Sequence, residues 1–237
     1  MIRVAAVADV HFGEDSAGTL AEPLQAVGEQ ADVLLVAGDL TRGGLPEEAQ
    51  VLADELAGLE TRVIAVLGNH DYHADREQEV RAVMEAAGVT VLEGDAVVVE
   101  ANGSRLGVAG GKGFGGGFAG ASGTDFGEPE MKAFVRHTKA LSDEIETALE
   151  GLDGVDARVA LLHYSPVPDT LRGERLEIYP FLGSYLLGEA IDRAGASLVL
   201  HGHAHGGVEQ GVTPGGHPVR NVALPVIRQA YRVYELH

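Results

Sequence analysis

Polar residues able to ligate a metal recur in this chain directly after apolar runs. IRVAAVA leads into Asp9-Val10-His11, and DVLLVA into Gly38-Asp39. RVIAVL leads into Gly68-Asn69-His70-Asp71, RVALL into His163, and SLVL into His201-Gly202-His203-Ala204-His205. Asp9 and His11 are two residues apart, as are His203 and His205, so in extended backbone each pair leaves the same side of the chain. Such pairs can hold one ion from two directions or reach two adjacent ions. The chain has no Cys, which excludes disulfides, iron–sulfur clusters and thiolate zinc sites. A metal here must therefore be bound by His, carboxylate or amide groups. That mixture suits Mn, Fe, Zn or Ni without selecting among them.

Rigid elements must carry these groups. The apolar runs read as buried strands, and helical patterns near residues 20–30, 46–59 and 75–87 alternate with the first of them. Strand–helix–strand alternation implies parallel pairing with right-handed crossovers. Ligands in open α/β sheets bind beyond the carboxyl ends of strands, where these polar residues lie. The middle of the chain changes character. AVVVEA and SRLGVAG flank Asn102-Gly103 as a hairpin, and a helix follows from Glu128 and Pro129. Phe134, Leu141, Ile145 and Leu149 are expected to line one face of it. A second hairpin is expected around TPGG, with AYRVYEL as the final strand. The expected fold class is α/β, with two packed mixed β-sheets and helices outside them. No linker, repeat or charge block divides the chain, so residues 1–237 are read as a single domain.

The motifs DVH, GDL, GNHD, HYSP and GHAH occur in this order between residues 9 and 205. In this the chain resembles the calcineurin-like metallophosphoesterases. The resemblance implies a four-layer α/β/β/α sandwich, two divalent metal ions and hydrolysis of phosphate esters. It assigns Asp9, His11 and His205 to one ion, Asn69, His163 and His203 to the other, and Asp39 as a bridge. A hydroxide bridging the two ions would attack phosphorus. His70 would face the substrate as general acid, with Asp71 orienting it through the other ring nitrogen. Two divalent ions with two carboxylates and a hydroxide leave the centre slightly positive, enough to bind phosphate without trapping the product.

The GNHD form is similar to the phosphodiesterase-like branch, which includes enzymes acting on cyclic nucleotides. GDLTRGG lacks the GDxVDRG pattern of the protein phosphatases. A small phosphodiester is the expected substrate, nucleotide types included. The alternatives are a phosphomonoesterase, a nucleoside-polyphosphate hydrolase or a non-catalytic metal-binding scaffold. The formal charge of −19, with 17 Lys and Arg scattered along the chain, argues against long nucleic acid as a partner. No apolar run is long enough to span a membrane, and the N-terminal run is too short for a signal-peptide core. A cytoplasmic location is expected; the oligomeric state is left open.

Residues 110–123 contain a literal G-x-G-x-x-G at Gly111, Gly113 and Gly116. The context is wrong for a dinucleotide fingerprint, since no helix opens there until Pro129. Nor is it a P-loop, because Lys112 is followed by Gly where Ser or Thr is needed. The stretch reads instead as a loop flanking the metal site, either a mobile lid or a plain surface connection. Lys112, Arg42 and Tyr72 are candidate substrate contacts. Tyr72, Tyr164 and Phe12 either wall the pocket or serve packing. His201 is expected to finish its strand, while His73, His137, His217 and His237 are expected at the surface.

Overall fold

A computed structural model describes residues 1–237. It contains strands β1 (Ile2–Val7), β2 (Val33–Ala37), β3 (Arg62–Val66), β4 (Thr90–Leu92), β5 (Asp95–Ala101) and β6 (Ser104–Gly111). These are followed by β7 (Gly117–Phe118), β8 (Ala121–Ser122), β9 (Ala157–Leu162), β10 (Leu198–His201), β11 (Gln210–Val212), β12 (Pro218–Asn221) and β13 (Arg232–Leu236). The helices are α1 (Ala21–Gln25), α2 (Val27–Gln30), α3 (Pro46–Leu56), α4 (Glu77–Ala86), α5 (Pro129–Glu150), α6 (Tyr179–Leu182), α7 (Tyr185–Ala194) and α8 (Leu224–Ile227).

Two mixed sheets form the centre. One has the order β13-β1-β2-β3-β4 and the other β11-β12-β10-β9-β6-β5. In each, the interior strands run parallel, while β13, β11 and β5 are antiparallel edges. The parallel strands are buried on both faces, which explains their nearly unbroken apolar sequences. Alternation along β9 displays the layering. Val159 and Leu161 join the core shared with the first sheet and its helices α3 and α4. Ala160 and Leu162 point the other way, into a separate core with Ile145 and Leu149 of α5 and Leu187 and Ile191 of α7. The result is helix, sheet, sheet, helix, as expected.

Four local departures have physical causes. The expected helix over 20–30 is two short pieces, because ψ of −6° at Ala26 opens the ladder and its N–H turns back to Pro23. Helix α3 stops at Leu56, where Ala57 is extended and Gly58 takes φ +84°. Helix α4 starts only after Asp75, whose φ is +55°. The buried stripe of α5 runs through Val135, Thr138, Ser142, Ile145 and Leu149, leaving Phe134 and Leu141 half-buried to one side. Both hairpins form, the first with positive φ at Asn102 and Gly103.

The glycine-rich stretch is a wall and not a lid. Gly115, Gly116, Gly117 and Phe118 are buried. Gly116 and Gly117 donate to the carbonyls of Pro180 (2.7 Å) and Gly183 (2.9 Å), and Thr138 Oγ1 bonds to the Gly115 carbonyl. A Cβ at Gly115 would lie 2.6 Å from the Pro180 carbonyl oxygen, so the close approach requires glycine. Within the stretch only residues 119–123, the tip of the β7–β8 ribbon, are exposed.

Candidate metal centre

The carboxyl ends of β1, β2, β3, β9 and β10 meet along one edge where the two sheets face each other. Asp9 and Asp39 are almost fully buried there, and they organise the cluster. Ligand atoms of Asp9, His11 and His205 all lie within 4.8 Å of one another. The same holds for Asp39, His163 and His203, and for His11, Asp39 and His70. Asn69 Oδ1 is 2.9 Å from His163 Nε2, which adds the amide to the second group. Asp39 reaches both sides, with Oδ1 3.3 Å from His163 Nε2 and Oδ2 3.7 Å from His11 Nε2.

The backbone is strained to achieve this. Asp9, His11, Asp39 and His203 all have positive φ (57°, 45°, 51° and 69°), a region that non-glycine residues enter at a cost of about 1–3 kcal/mol each. The strained residues turn their side chains inward as their strands end. Glycines allow the loops to close: a Cβ at Gly38 would meet the His163 ring 2.5 Å from Nδ1, and one at Gly68 would overlap Asp39. Main-chain donors then orient the carboxylates. His203 N–H donates to Asp9 (2.9 Å to Oδ2), and His70 N–H donates to Asp39 Oδ1 (2.8 Å).

Ring nitrogens are sorted by their partners. A carbonyl can only accept, so His163 Nδ1 donates to Ala37 O (2.9 Å) and leaves Nε2 unprotonated, its lone pair converging with the oxygens of Asp39 and Asn69 as ligands around one cation do. His203 Nε2 is 3.2 Å from Phe181 O, leaving Nδ1 free. Burial pushes His203 down to about 3, so this ring stays neutral and able to ligate. Burial also holds His11 below its usual value, against the pull of Asp39 and Asp9. His205 is raised by its hydrogen bond to Asp9 (2.9 Å), a proton that a cation would displace. Burial opposes ionisation of Asp9, yet the His205 bond and nearby imidazoles hold its carboxyl below the ordinary range. Carboxylate, imidazole and amide donors converging on buried, oriented positions fit divalent cations of the borderline type.

His70 lies beside His11, with ring centroids 4.5 Å apart. Its Nδ1 is fixed 2.7 Å from the carbonyl of Arg42. The expectation that Asp71 orients this ring is not met. Consecutive residues in the tight turn His70–Tyr72 point apart, and Asp71 is fully buried beneath it. There it accepts hydrogen bonds from Thr41 N (2.8 Å), Thr41 Oγ1 (2.6 Å), Leu40 N (3.2 Å) and Gly68 N (2.8 Å). Asp71 thus clamps the loop after β2 to the loop after β3. The Arg42 guanidinium pairs with Asp15 at 2.8 Å, while its carbonyl holds His70.

A cavity of about 460 Å³ opens beside Asn69. Lys112, Tyr72, Phe114 and Tyr164 line it, along with Leu141, Ile145, His137, Glu93 and Glu144, which sequence spacing did not connect with the site. His137, expected at the surface, is exposed yet also packs edge-on against Phe114 (4.7 Å). Phe12 and Phe118 belong to packed cores instead. His201 ends β10 fully buried, bonded to Thr170 Oγ1 (2.8 Å). His217 is half-buried against the Ala196 carbonyl (2.7 Å), and His73 and His237 are exposed. No helix is long and apolar enough to cross a membrane.

Comparison with known proteins agrees with this geometry. Residues 2–207 match the calcineurin-like phosphoesterase family. Among solved structures, the fold is similar to that of a phosphopantetheinyl hydrolase from Mycobacterium tuberculosis, with 16% identity and a TM-score of 0.71, covering 99% of this chain and 96% of the other. It is also similar to the protein TT1561 of Thermus thermophilus, with 17% identity and a TM-score of 0.55 over 100% and 99% of the chains. A putative 5′-nucleotidase from Staphylococcus aureus aligns with 15% identity and a TM-score of 0.57, over 93% of this chain and 48% of that one. No curated protein matches the chain. The chain belongs to the calcineurin-like phosphoesterase family.

Proposed function

We propose that this family member is a metal-dependent phosphodiesterase acting on small phosphate esters. One observation carries the reading: two His/Asp groups, Asp9-His11-His205 and Asp39-His163-His203, adjoin across buried carboxylates with His70 beside them. Asp9, His11 and His205 would hold one divalent ion, and Asn69, His163 and His203 the other, with Asp39 between. Two such ions would supply Lewis acidity and an acidified water for attack on phosphorus.

The chain's own groups perform the remaining work. With Nδ1 donating to the Arg42 carbonyl, His70 presents Nε2 to the site. When both ring nitrogens are protonated, Nε2–H can pass its proton to the departing ester oxygen. Asp71 acts as a positioning residue, since its four hydrogen bonds tie the Asp39 loop to the His70 turn. The buried main chain around Asp39 keeps these groups in register before substrate arrives, which limits reorganisation during the reaction. The mycobacterial protein of similar fold is a hydrolase, which is in keeping with this reading.

The test is hydrolysis by metal-loaded protein of bis(4-nitrophenyl) phosphate, 4-nitrophenyl phosphate and cyclic nucleotides, alongside metal analysis. Turnover of diesters that disappears with a chelator and in Asp39→Asn is expected. A protein carrying about two ions per chain that turns over no ester would be a scaffold.

A further inference from the structure

Lys112 holds an unusual position for a cation. Its ammonium lies over the rings of Tyr72 (4.8 Å), Phe114 (5.0 Å) and Tyr164 (5.5 Å). It has no carboxylate partner; Glu93 and Asp39 act on it only at a distance. Both oxygens of Glu93 are already engaged, by Tyr72 OH (2.6 Å) and Arg81 (3.1 Å). The Lys112 main chain is fixed as well, since its carbonyl accepts from His163 N (3.1 Å) and Tyr164 N (3.0 Å). A half-buried cation is thus held without an anion, its main chain bonded to the segment that carries the candidate metal ligand His163. In a chain of net charge −19, leaving such a group unpaired is a specific arrangement.

The cavity supplies the second observation. It adjoins Asn69 at one end, and its walls are mainly apolar, from Phe114, Leu141, Ile145 and Tyr164. Glu144 stands at the rim as an acceptor. A volume of about 460 Å³ lies in the range that holds a whole organic group rather than a water or an ion. Inorganic phosphate would leave this space vacant, whereas the organic group of an ester can fill it. A second phosphate group would meet Glu93 and Glu144 with one lysine in opposition.

We propose that this cavity receives one ester group of a phosphodiester, an uncharged, largely apolar or aromatic group, and that Lys112 recognises the anionic phosphate oxygen at its mouth. The aromatic rings hold the ammonium in place when the site is vacant, through cation–π attraction. When the diester binds, the phosphate becomes the missing partner, and the ester group covers the pair from water. This inference rests on the phosphodiesterase reading for the phosphate's position, and it adds the class of substrate.

Calorimetric binding of diphenyl phosphate and of inorganic phosphate to metal-loaded protein tests it, with Lys112→Met, Lys112→Arg and Leu141→Trp compared at matched metal content and thermal midpoint. Lys112→Met is expected to weaken both ligands by about tenfold or more, and Lys112→Arg to restore most of that loss. Leu141→Trp, which fills the cavity, is expected to weaken diphenyl phosphate by at least about tenfold more than inorganic phosphate. No binding of diphenyl phosphate by the wild type, or equal affinities in all four proteins, overturns the proposal. Binding in the expected pattern without turnover of any diester would retain the subsite and remove the hydrolase reading. Turnover with affinities indifferent to both positions would do the reverse.

Discussion

The imidazole of His70 is held by the main-chain carbonyl of Arg42, at 2.7 Å from Nδ1, and not by the carboxylate of its neighbour Asp71. A carbonyl orients the ring and fixes which nitrogen carries the first proton, but it brings no negative charge. With Nδ1 fixed in this way, Nε2 is the nitrogen left to face the site.

Replacing His70 with Ala is expected to lower turnover of alkyl diesters by about 10²–10⁴-fold while leaving metal content unchanged. Nitrophenyl esters, whose leaving groups need no proton, should lose much less. Parallel kinetics on the two ester types, with metal analysis, check this. Equal losses on both would contradict proton donation by His70.

Asp71→Asn puts an amide N–H₂ where Leu40, Thr41 and Gly68 all present donors. Losing a buried acceptor costs about 1–3 kcal/mol, so denaturant unfolding should show destabilisation of that order. Metal retention should weaken along with it, because the loops bearing Asp39 and Asn69 come apart. Unchanged stability would mean that the clamp contributes nothing.

Gly68→Ala places a methyl on the Asp39 main chain and carboxylate. Backbone cannot yield as a flexible side chain can, so a loss of about 1–3 kcal/mol is expected. Divalent metal content should fall as Asp39 is displaced. Gly151→Ala, where φ is −70° and a Cβ would make only ordinary contacts from 3.5 Å, makes the control. Similar metal content in both variants would sink the steric explanation.

His201 is buried between the sheets' carboxyl ends, and burial lowers its pKa from 6.5 to about 4. The folded chain thus refuses a proton that the unfolded chain accepts. Stability from this residue is complete above pH 6.5 and is lost as pH falls toward 4. His201→Gln keeps hydrogen-bonding capacity toward Thr170 but cannot titrate. Thermal midpoints measured from about pH 7 down to about pH 4 should fall less steeply for His201→Gln than for the wild type. Identical slopes would show that His201 contributes no such dependence.

Much of the fold was legible from local pattern. Strands buried on both faces must be apolar throughout, so β1, β2, β3 and β9 stand out, and Asn102-Gly103 specifies a tight hairpin by backbone sterics alone. The candidate ligands were legible too, because a parallel sheet delivers every carboxyl-end loop to the same edge. Asp9 and His205 follow strands of different sheets, and the packing of one sheet on the other brings them to 2.9 Å.

Tertiary structure decided what depends on the direction of a side chain or on packing between layers. The family resemblance paired Asp71 with His70, but the tight turn sends Asp71 inward to Thr41 and leaves the Arg42 carbonyl to hold the ring. Glycine content made residues 110–123 read as a candidate lid, yet those glycines let the backbone press against α6 and α7 as a wall. The cavity around Lys112 joins Tyr72, Phe114, Leu141 and Tyr164 from four separate segments. No spacing rule links those segments. They meet only because β3, β6, β9 and α5 are stacked in three dimensions.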